Sequence, residues 1–195
     1  MSFRPLNLRI RRAGIGDTDT VVRILIASKE ASFPETVEDH DRDVTFWTRR
    51  WHDYIARGNL PFSILGDGWV FLAEIGGVPV GYIAYHHTRR LETDAELQNI
   101  YLLKDWQRKG IGTALLGVVA HRLAADGSRS MCVGYDSDSP YKRFYSKHGA
   151  LETSPGAPWS IWKDVRALAS RLPGPPPDLM TDLRGRPLWV RRWIR

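Results

Sequence analysis

The residues whose types and spacing best suit a chemical role form the run Gln107-Arg108-Lys109-Gly110-Ile111-Gly112. A strand-like apolar stretch at 97–103 precedes this run, and a helix-like stretch that ends near residue 127 comes after it. The order predicts a turn into a helix N-terminus, where free backbone N–H groups and the helix dipole attract an anion. The two glycines lack a Cβ, so an anion can approach the main chain closely. The run predicts a phosphate-binding turn, and a turn without a ligand is the alternative.

Two familiar glycine-rich loops do not fit this run. A Walker A loop requires the pattern G-x-x-x-x-G-K-[ST], which the chain lacks. The dinucleotide fingerprint G-x-G-x-x-G requires a third glycine where the chain has Leu115. The kind of anion must therefore be inferred from a second motif nearer the C-terminus.

This second candidate motif, Phe144-Tyr145-Ser146-Lys147-His148-Gly149, lies on a later predicted helix. Ser139-Pro140 suits the start of that helix, with serine as the cap and proline at the first position. Gly149 suits the left-handed residue that ends it. The motif therefore places an aromatic pair and a lysine on one short helix.

Hydrophobic periodicity outlines the elements that must hold these motifs. The clearest is a hairpin, in which strands at 69–75 and 78–85 are joined by Gly76-Gly77, a two-residue loop suited to a primed turn. The other predicted strands lie at 8–11, 97–103, 131–135 and 159–162, and the predicted helices at 17–32, 38–57, 112–126, 139–149 and 164–172. This order predicts a mixed α/β fold.

Composition narrows the cellular setting and the chemistry. The 195 residues fit one domain with an appendage, and a hydrophobic content of 43% supports a packed core. No apolar run approaches the roughly 20 residues that a membrane span needs. The single cysteine, Cys132, excludes an intramolecular disulfide and suits a reducing cytosol, and no Cys/His group has zinc spacing. We therefore expect a cytoplasmic protein without a bound metal or a membrane partner.

The C-terminal part of the chain forms a separate feature. Residues 173–177 are Pro-Gly-Pro-Pro-Pro, which cannot join a helix or a central strand and predict a linker. After Asp182 there are five arginines and no acid, and residues 187–194 alternate like a strand. We predict a domain at 1–172 and a linker with a basic arm at 173–195. An arm that packs on a partner subunit in a homodimer, or on its own domain, is favoured over one that binds nucleic acid.

The two motifs together resemble those of the GCN5-related N-acetyltransferase (GNAT) family. In that family a strand leads into a Q/R-x-x-G-x-G/A turn and a helix, and an F-Y-x-K-x-G signature lies on a later helix. Both patterns occur here in that order, at 107–112 and 144–149. The likeness is specific over 96–150 and extends over about 8–162, because the hairpin and the first two helices also fit. It implies an α/β acyl-CoA N-acyltransferase fold with a mixed central sheet flanked by helices.

The resemblance implies acetyl-CoA as the donor and assigns residues to it. Amides of the turn would hold the pyrophosphate, and the fourth strand would pair with the pantetheine arm. The N–H of Leu102 could also polarise the thioester carbonyl. The side chains of Arg108 and Lys109 would add positive charge beside the pyrophosphate. The alternative is that both are ordinary solvated surface residues. The implied donor-binding residues are Leu102, Leu103, Gln107, Arg108, Lys109, Gly110, Ile111, Gly112 and Thr113.

The resemblance also implies direct attack of a neutral amine on the thioester. Such a reaction needs a base for the ammonium and an acid for the departing thiolate. Tyr145 matches the family position of the acid, and a merely packed tyrosine is the alternative. Glu96, at the start of the fourth strand, is the candidate base through water, and an exposed strand-end carboxylate is the alternative. Positioning can supply much of the barrier reduction, so a dedicated base is not required.

The acceptor is the least determined part of the prediction. A small-molecule amine is the first expectation, and a protein N-terminus or lysine is the second. Acids and aromatic faces suit a cationic amine, so the candidate pocket residues are Trp47, Trp51, Tyr54, Tyr85, His86, Glu92 and Asp94. The chain departs from the family at Asp136-Ser137-Asp138-Ser139, where many members have an asparagine, and at Ala150, where an aromatic is usual. The alternative function is a non-catalytic acyl-CoA-binding module with a basic interaction tail.

Overall fold

A seven-stranded sheet forms the centre of the molecule. The computed structural model describes residues 7–32, 37–57, 68–136 and 139–180. The strands are β1 (Leu8–Arg12), β2 (Gly68–Ile75), β3 (Val78–His87), β4 (Ala95–Leu102), β5 (Met131–Gly134), β6 (Leu151–Glu152) and β7 (Trp159–Trp162). The helices are α1 (Thr18–Ser32), α2 (Val44–Arg57), α3 (Ile111–Asp126), α4 (Lys142–Lys147) and α5 (Val165–Arg171). The sheet order is β1-β2-β3-β4-β5-β7-β6, with β4 and β5 parallel and the other neighbours antiparallel. This is the mixed sheet flanked by helices that the sequence predicts.

The predicted hairpin is confirmed. Gly76 and Gly77 join β2 to β3 with φ values of 58° and 83°, which L-residues with a Cβ rarely adopt. Positive φ at both central positions is the requirement of a type I′ turn, whose twist matches the twist of the strands. The turn therefore fixes the pairing of β2 with β3.

The second helix begins later than the sequence predicts. Instead of one helix over 38–57, a short 3-10 turn at Asp39–Arg42 precedes α2. Asp43 separates the two, because its backbone is extended and its carboxylate accepts the N–H of Phe46 at 2.9 Å. A side-chain cap of this kind starts a new helix.

Two hydrophobic cores lie on opposite faces of the sheet. α1 and α2 cover one face, where Leu25, Trp51 and Tyr54 are buried against the sheet. α3 and α5 cover the other face, where Leu115 and Val165 are buried. The aromatic residues that the sequence places on one stripe of α2 therefore serve the first of these cores.

The C-terminal segment packs along α3. The carbonyl oxygen of Pro173 would lie 2.5 Å from a Cβ at Gly117, so only glycine permits this approach. Leu179 is 4% exposed, and its carbonyl accepts a hydrogen bond from the buried Arg122. The described part of the proline-rich segment is therefore held against the domain. The arm beyond it lies outside the described residues, and the division of the chain at residue 172 stays a prediction.

β4 and β5 separate in the middle of the sheet. Three parallel pairs join them, of which the last is Leu97 with Val133, and the described residues contain no further pair. Gln98 is the extra residue of a β-bulge, because Leu97 and Asn99 face consecutive residues of β3. The bulge shifts the alternation of side chains, so that Leu97 and Ile100 both pack in the core under α3. Beyond the bulge the sheet opens into a cleft.

Candidate active site

A cavity of about 480 Å³ occupies the cleft between β4 and β5. α3 and α4 line it on one side of the sheet, and α1 lines it on the other. Its wall includes Leu102, Thr113, Tyr145 and Ser28, which come from four different elements. The cavity therefore joins the two faces of the sheet and brings the two sequence motifs to one site.

The predicted phosphate-binding turn forms the α3 end of the cavity. Gly110 caps α3 in the left-handed region with φ at 82°, and Arg108 also has a positive φ, at 58°. The N–H groups at 111–113 lie in the first turn of α3, where the helix itself offers no acceptor. The turn residues that line the cavity are Gln107, Arg108, Gly110, Gly112 and Thr113. The cavity thus faces backbone donors and the positive end of a helix dipole.

The end of β4 adds main-chain groups to the same wall. The N–H of Leu103 donates to the carbonyl of Val80 in β3 at 2.9 Å, so it points away from the cleft. Because successive N–H groups of a strand point to opposite sides, the N–H of Leu102 points into the cleft. The carbonyl of Leu102 accepts a hydrogen bond from Nε2 of Gln107 at 3.1 Å, which ties the strand to the turn.

Three of the residues predicted to bind the donor lie off the cavity wall. Leu103 packs against the core under α1 and α2, and its N–H is already used within the sheet. Ile111 is buried in the core under α3. The ammonium of Lys109 lies 4.8 Å from the ring centroid of Trp106. These side chains have structural contacts, and their role in binding a donor stays a prediction.

Tyr145 faces the cavity from α4. Its side chain is 8% exposed and stacks on Tyr135, with ring centroids 5.6 Å apart, while Trp162 meets it edge-on at 6.0 Å. Burial raises the pKa of the Tyr145 hydroxyl well above its usual value, and nearby Tyr101 and Tyr135 act in the same direction. The hydroxyl therefore remains protonated at neutral pH and is available as a proton donor.

α3 and α4 are joined at the cavity wall. Oγ1 of Thr113 lies 3.2 Å from Nε2 of His148, and the carbonyl of His148 accepts a hydrogen bond from the indole of Trp162 at 2.9 Å. Burial lowers the pKa of His148, and the charges of Lys147 and Arg171 lower it further. A neutral imidazole therefore connects the two motifs.

Glu96 is buried near the cavity without lining it. The residue is 7% exposed, so the alternative of an exposed strand-end carboxylate is wrong. Oε2 accepts a hydrogen bond from Nε of Arg90 at 2.8 Å and lies 3.8 Å from Nε2 of His86. Burial raises the pKa of Glu96, and Arg90 opposes the rise. Gln98, two residues further along β4, does reach the cavity, so any action of Glu96 there needs a bridging water.

The residues that the sequence offers for an acceptor pocket do not line this cavity. Trp51, Tyr54 and Tyr85 are core residues, and the carboxylate of Asp94 is bonded to the backbone N–H groups of 129 and 130. Trp47, His86 and Glu92 are also absent from the wall. The wall on the α1 side is formed by Ser28, Ser32, Asn99, Tyr101, Asp136, Ser139 and Tyr141. The spacing of the two α1 serines, four residues apart on one helix face, is a signal that sequence reasoning missed.

Neither a metal cluster nor a membrane-spanning helix occurs in the described ranges. No group of three or more His, Cys, Asp or Glu side chains within them could hold a metal ion. No helix in the same part of the chain combines the length and apolar character needed to cross a membrane.

Comparison with known proteins assigns the fold and the two motifs to a family. The sequence model of the acetyltransferase (GNAT) family matches residues 25–150, which is well over half of the chain. The chain belongs to the GNAT family. The GNAT match begins within α1 and ends just after α4, so it includes both motifs and all the described residues of the cavity wall.

Three relatives of this GNAT chain are distant from it in sequence. A probable N-acetyltransferase of Mycobacterium tuberculosis is 26% identical over 150 residues, which cover 74% of this chain and 80% of that protein. The structure of PaiA N-acetyltransferase from Thermoplasma acidophilum, in complex with coenzyme A, has a TM-score of 0.65 and 20% identity, covering 81% of this chain and 99% of that one. A GNAT family acetyltransferase from Brucella melitensis, in complex with acetyl-CoA, has a TM-score of 0.54 and 18% identity, covering 80% of this chain and 88% of that one.

Proposed function

We propose that this GNAT chain transfers the acetyl group of acetyl-CoA to a primary amine by direct attack. The observation that carries the proposal is the single cavity that joins the N-terminus of α3, the inward N–H of Leu102 and the hydroxyl of Tyr145. The complexes of the Thermoplasma and Brucella proteins with coenzyme A and acetyl-CoA support the choice of donor.

The donor fits the α3 side of the cavity. The first-turn N–H groups at 111–113 would hold the pyrophosphate, and Arg108 and Lys147 line the same side with positive charge. The N–H of Leu102 would donate to the thioester carbonyl as negative charge develops on its oxygen. Oxyanion donors of this type contribute about 3 kcal/mol to catalysis in other enzymes.

The acceptor would arrive from the α1 side with its nitrogen unprotonated. That nitrogen forms a bond to the thioester carbon, the C–S bond breaks, and the thiolate takes the proton of the Tyr145 hydroxyl. Glu96, through water, would receive the proton that the amine nitrogen loses. The tight packing around Tyr145 would hold its hydroxyl in place, which favours the positioning that such a transfer requires.

Calorimetric titration with acetyl-CoA, CoA and ATP, combined with a thiol-release assay with amines, tests the proposal. We expect micromolar binding of acetyl-CoA and CoA, no binding of ATP, and amine-dependent thiol release. Binding of acetyl-CoA without release for an alkylamine, an amino alcohol and a lysine peptide would favour the alternative, a non-catalytic acyl-CoA-binding module. Absence of acetyl-CoA binding would contradict both.

A further inference from the structure

We infer that the α1 side of the cavity binds a small amine that carries hydroxyl groups, of the chemical class of amino alcohols and amino sugars. This inference rests on the proposed function and specifies its acceptor. It is drawn from three features of the wall: an unpartnered buried hydroxyl, a network of neutral polar groups, and the placement of charge.

The unpartnered hydroxyl belongs to Ser28 of α1. This residue lines the cavity and is 1% exposed, and its Oγ has no hydrogen-bond partner among the described residues. A buried polar group without a partner is unfavourable, and native structures nearly always satisfy such groups. A ligand hydroxyl in the cavity would accept from Ser28 or donate to it.

Neutral polar groups surround this hydroxyl. The Tyr141 hydroxyl donates to Oγ of Ser32 at 2.9 Å, which joins the segment before α4 to the C-terminal end of α1. Because Oγ of Ser32 accepts the proton of the tyrosine, the hydroxyl proton of Ser32 itself points away from Tyr141. Ser32 also lines the cavity. Asn99 and Tyr101 add an amide and a phenol from β4. The wall thus offers both donors and acceptors at several points, which matches a ligand with several hydroxyl groups.

Charge is distributed unevenly along the cavity. Among the described lining residues, the carboxylate on the α1 side is Asp136, while Arg108 and Lys147 lie on the α3 and α4 side. Burial raises the pKa of Tyr101 to about 12, and the carboxylates of Asp41 and Asp136 add to the rise. Because Asp41 is paired with Lys29, Asp136 is the carboxylate that favours a cation on this side. An ammonium group is therefore favoured on the α1 side and an anionic donor on the opposite side.

An apolar amine fits this wall poorly. The aliphatic side chains on the cavity wall, Ile100, Leu102 and Val133, come from β4 and β5 and pack with the core under α3. An alkyl or aryl amine on the α1 side would displace water from the serine and tyrosine hydroxyls. It would offer them no hydrogen bonds in place of those that they make with water. Sites that hydrogen-bond a substrate hydroxyl discriminate strongly against analogues that lack it.

Paired acceptors, one with hydroxyl groups and one without, test the inference. Ethanolamine is compared with propylamine, and glucosamine with cyclohexylamine, with a lysine peptide as a third class, in the thiol-release assay. We expect kcat/KM, expressed per concentration of the unprotonated amine, to be at least tenfold higher for each hydroxylated amine than for its partner. An equal or higher kcat/KM for the apolar amine or the peptide would overturn the inference and leave the proposed acetyl transfer intact. Failure of every amine to release thiol would count against both.

The variant Ser28→Ala tests the role of the buried hydroxyl. Alanine suits a helix, so the variant should fold, and it should reduce the preference for the hydroxylated amine at least threefold while the Kd for acetyl-CoA stays unchanged. Ser170→Ala, on the exposed face of α5, is the matched control and should leave the preference unaltered. An unchanged preference in Ser28→Ala would remove this hydroxyl from acceptor recognition.

Discussion

At the scale of single residues, Tyr145 is the side chain on which the proposed chemistry most depends. Its ring is fixed by Tyr135 and Trp162, so removing the hydroxyl should not disturb the packing. We expect Tyr145→Phe to lower kcat at least tenfold with little change in the calorimetric Kd for acetyl-CoA. Tyr82→Phe is the matched control, because that buried hydroxyl has no hydrogen-bond partner in the described ranges. Unchanged turnover in Tyr145→Phe would exclude this residue as the acid.

A second prediction concerns the ionisation of Glu96. Burial lowers the pKa of the neighbouring His86 to about 4, so at neutral pH Arg90 is the charged partner of the carboxylate. If Glu96 is the base, activity is lost as pH falls through its pKa. Removing Arg90 takes away the charge that opposes the rise of this pKa, so Arg90→Gln should move the acidic limb of the kcat/KM profile to higher pH.

Two further variants make the Glu96 experiment decisive. Arg90→Lys keeps the positive charge and should restore much of the original profile. Arg89→Gln removes a neighbouring exposed charge and should leave the acidic limb of the kcat/KM profile at its original pH. An acidic limb that stays in place in Arg90→Gln would mean that Glu96 is not the titrating base.

At the scale of elements, the turn into α3 combines a left-handed glycine with exposure to the cavity. A Cβ at Gly110 would meet no atom within 4 Å, so the only obstacle to a side chain is its φ of 82°. A left-handed conformation costs an ordinary L-residue about 1–2 kcal/mol, whereas asparagine tolerates it better. We expect Gly110→Ala to lower the Tm and weaken acetyl-CoA binding, and Gly110→Asn to do so less. If Gly110→Ala and Gly110→Asn had the same Tm, the prediction would be wrong, and the turn would have changed its backbone conformation to accommodate alanine.

The bulge in β4 is an element-scale feature with consequences for both cores. Without an extra residue, Ile100 would face the opposite side of the sheet from Leu97. Different side chains of β4 would then form the cavity wall. The same bulge lies where β4 loses β5 as a partner. A local irregularity and a break in long-range pairing therefore act together to open the site.

At the scale of the whole molecule, the C-terminal segment packs on the rest of the domain as far as Leu179. Leu179 is buried against α3, and truncation of a buried leucine to alanine costs about 2–5 kcal/mol. We expect Leu179→Ala to lower the free energy of unfolding in urea by about 2–3 kcal/mol without changing the Kd for acetyl-CoA. Met180→Ala, at a half-buried neighbour, should cost less. No loss of stability in Leu179→Ala would mean that residues 173–180 behave as a free linker.

Much of this architecture is set by local patterns in the sequence. The paired glycines at 76–77, the turn at 107–112 and the capping glycine after α3 each reflect backbone preferences that act over a few residues. These preferences determined the hairpin and the two ends of α3. The helix that carries Tyr145 begins at Lys142 and not directly after the predicted Ser139 cap, because the chain first makes a turn at 140–141. The family motifs rest on the same local features, which is why they could be recognised before the fold was known.

Only the tertiary structure decided where the cavity lies and which residues form its α1 side. Strand pairing between β4 and β5 joins residues far apart in the chain. The shift in alternation at Gln98 marks the bulge in β4, but no local pattern in either strand marks the end of the pairing at Leu97. The aromatic residues of α2 suit a cationic ligand as well as they suit a core, and packing placed them in the core. Ser28 lines the cavity because α1 packs against β3 and β4. Long-range packing, which no short stretch of sequence encodes, made that assignment.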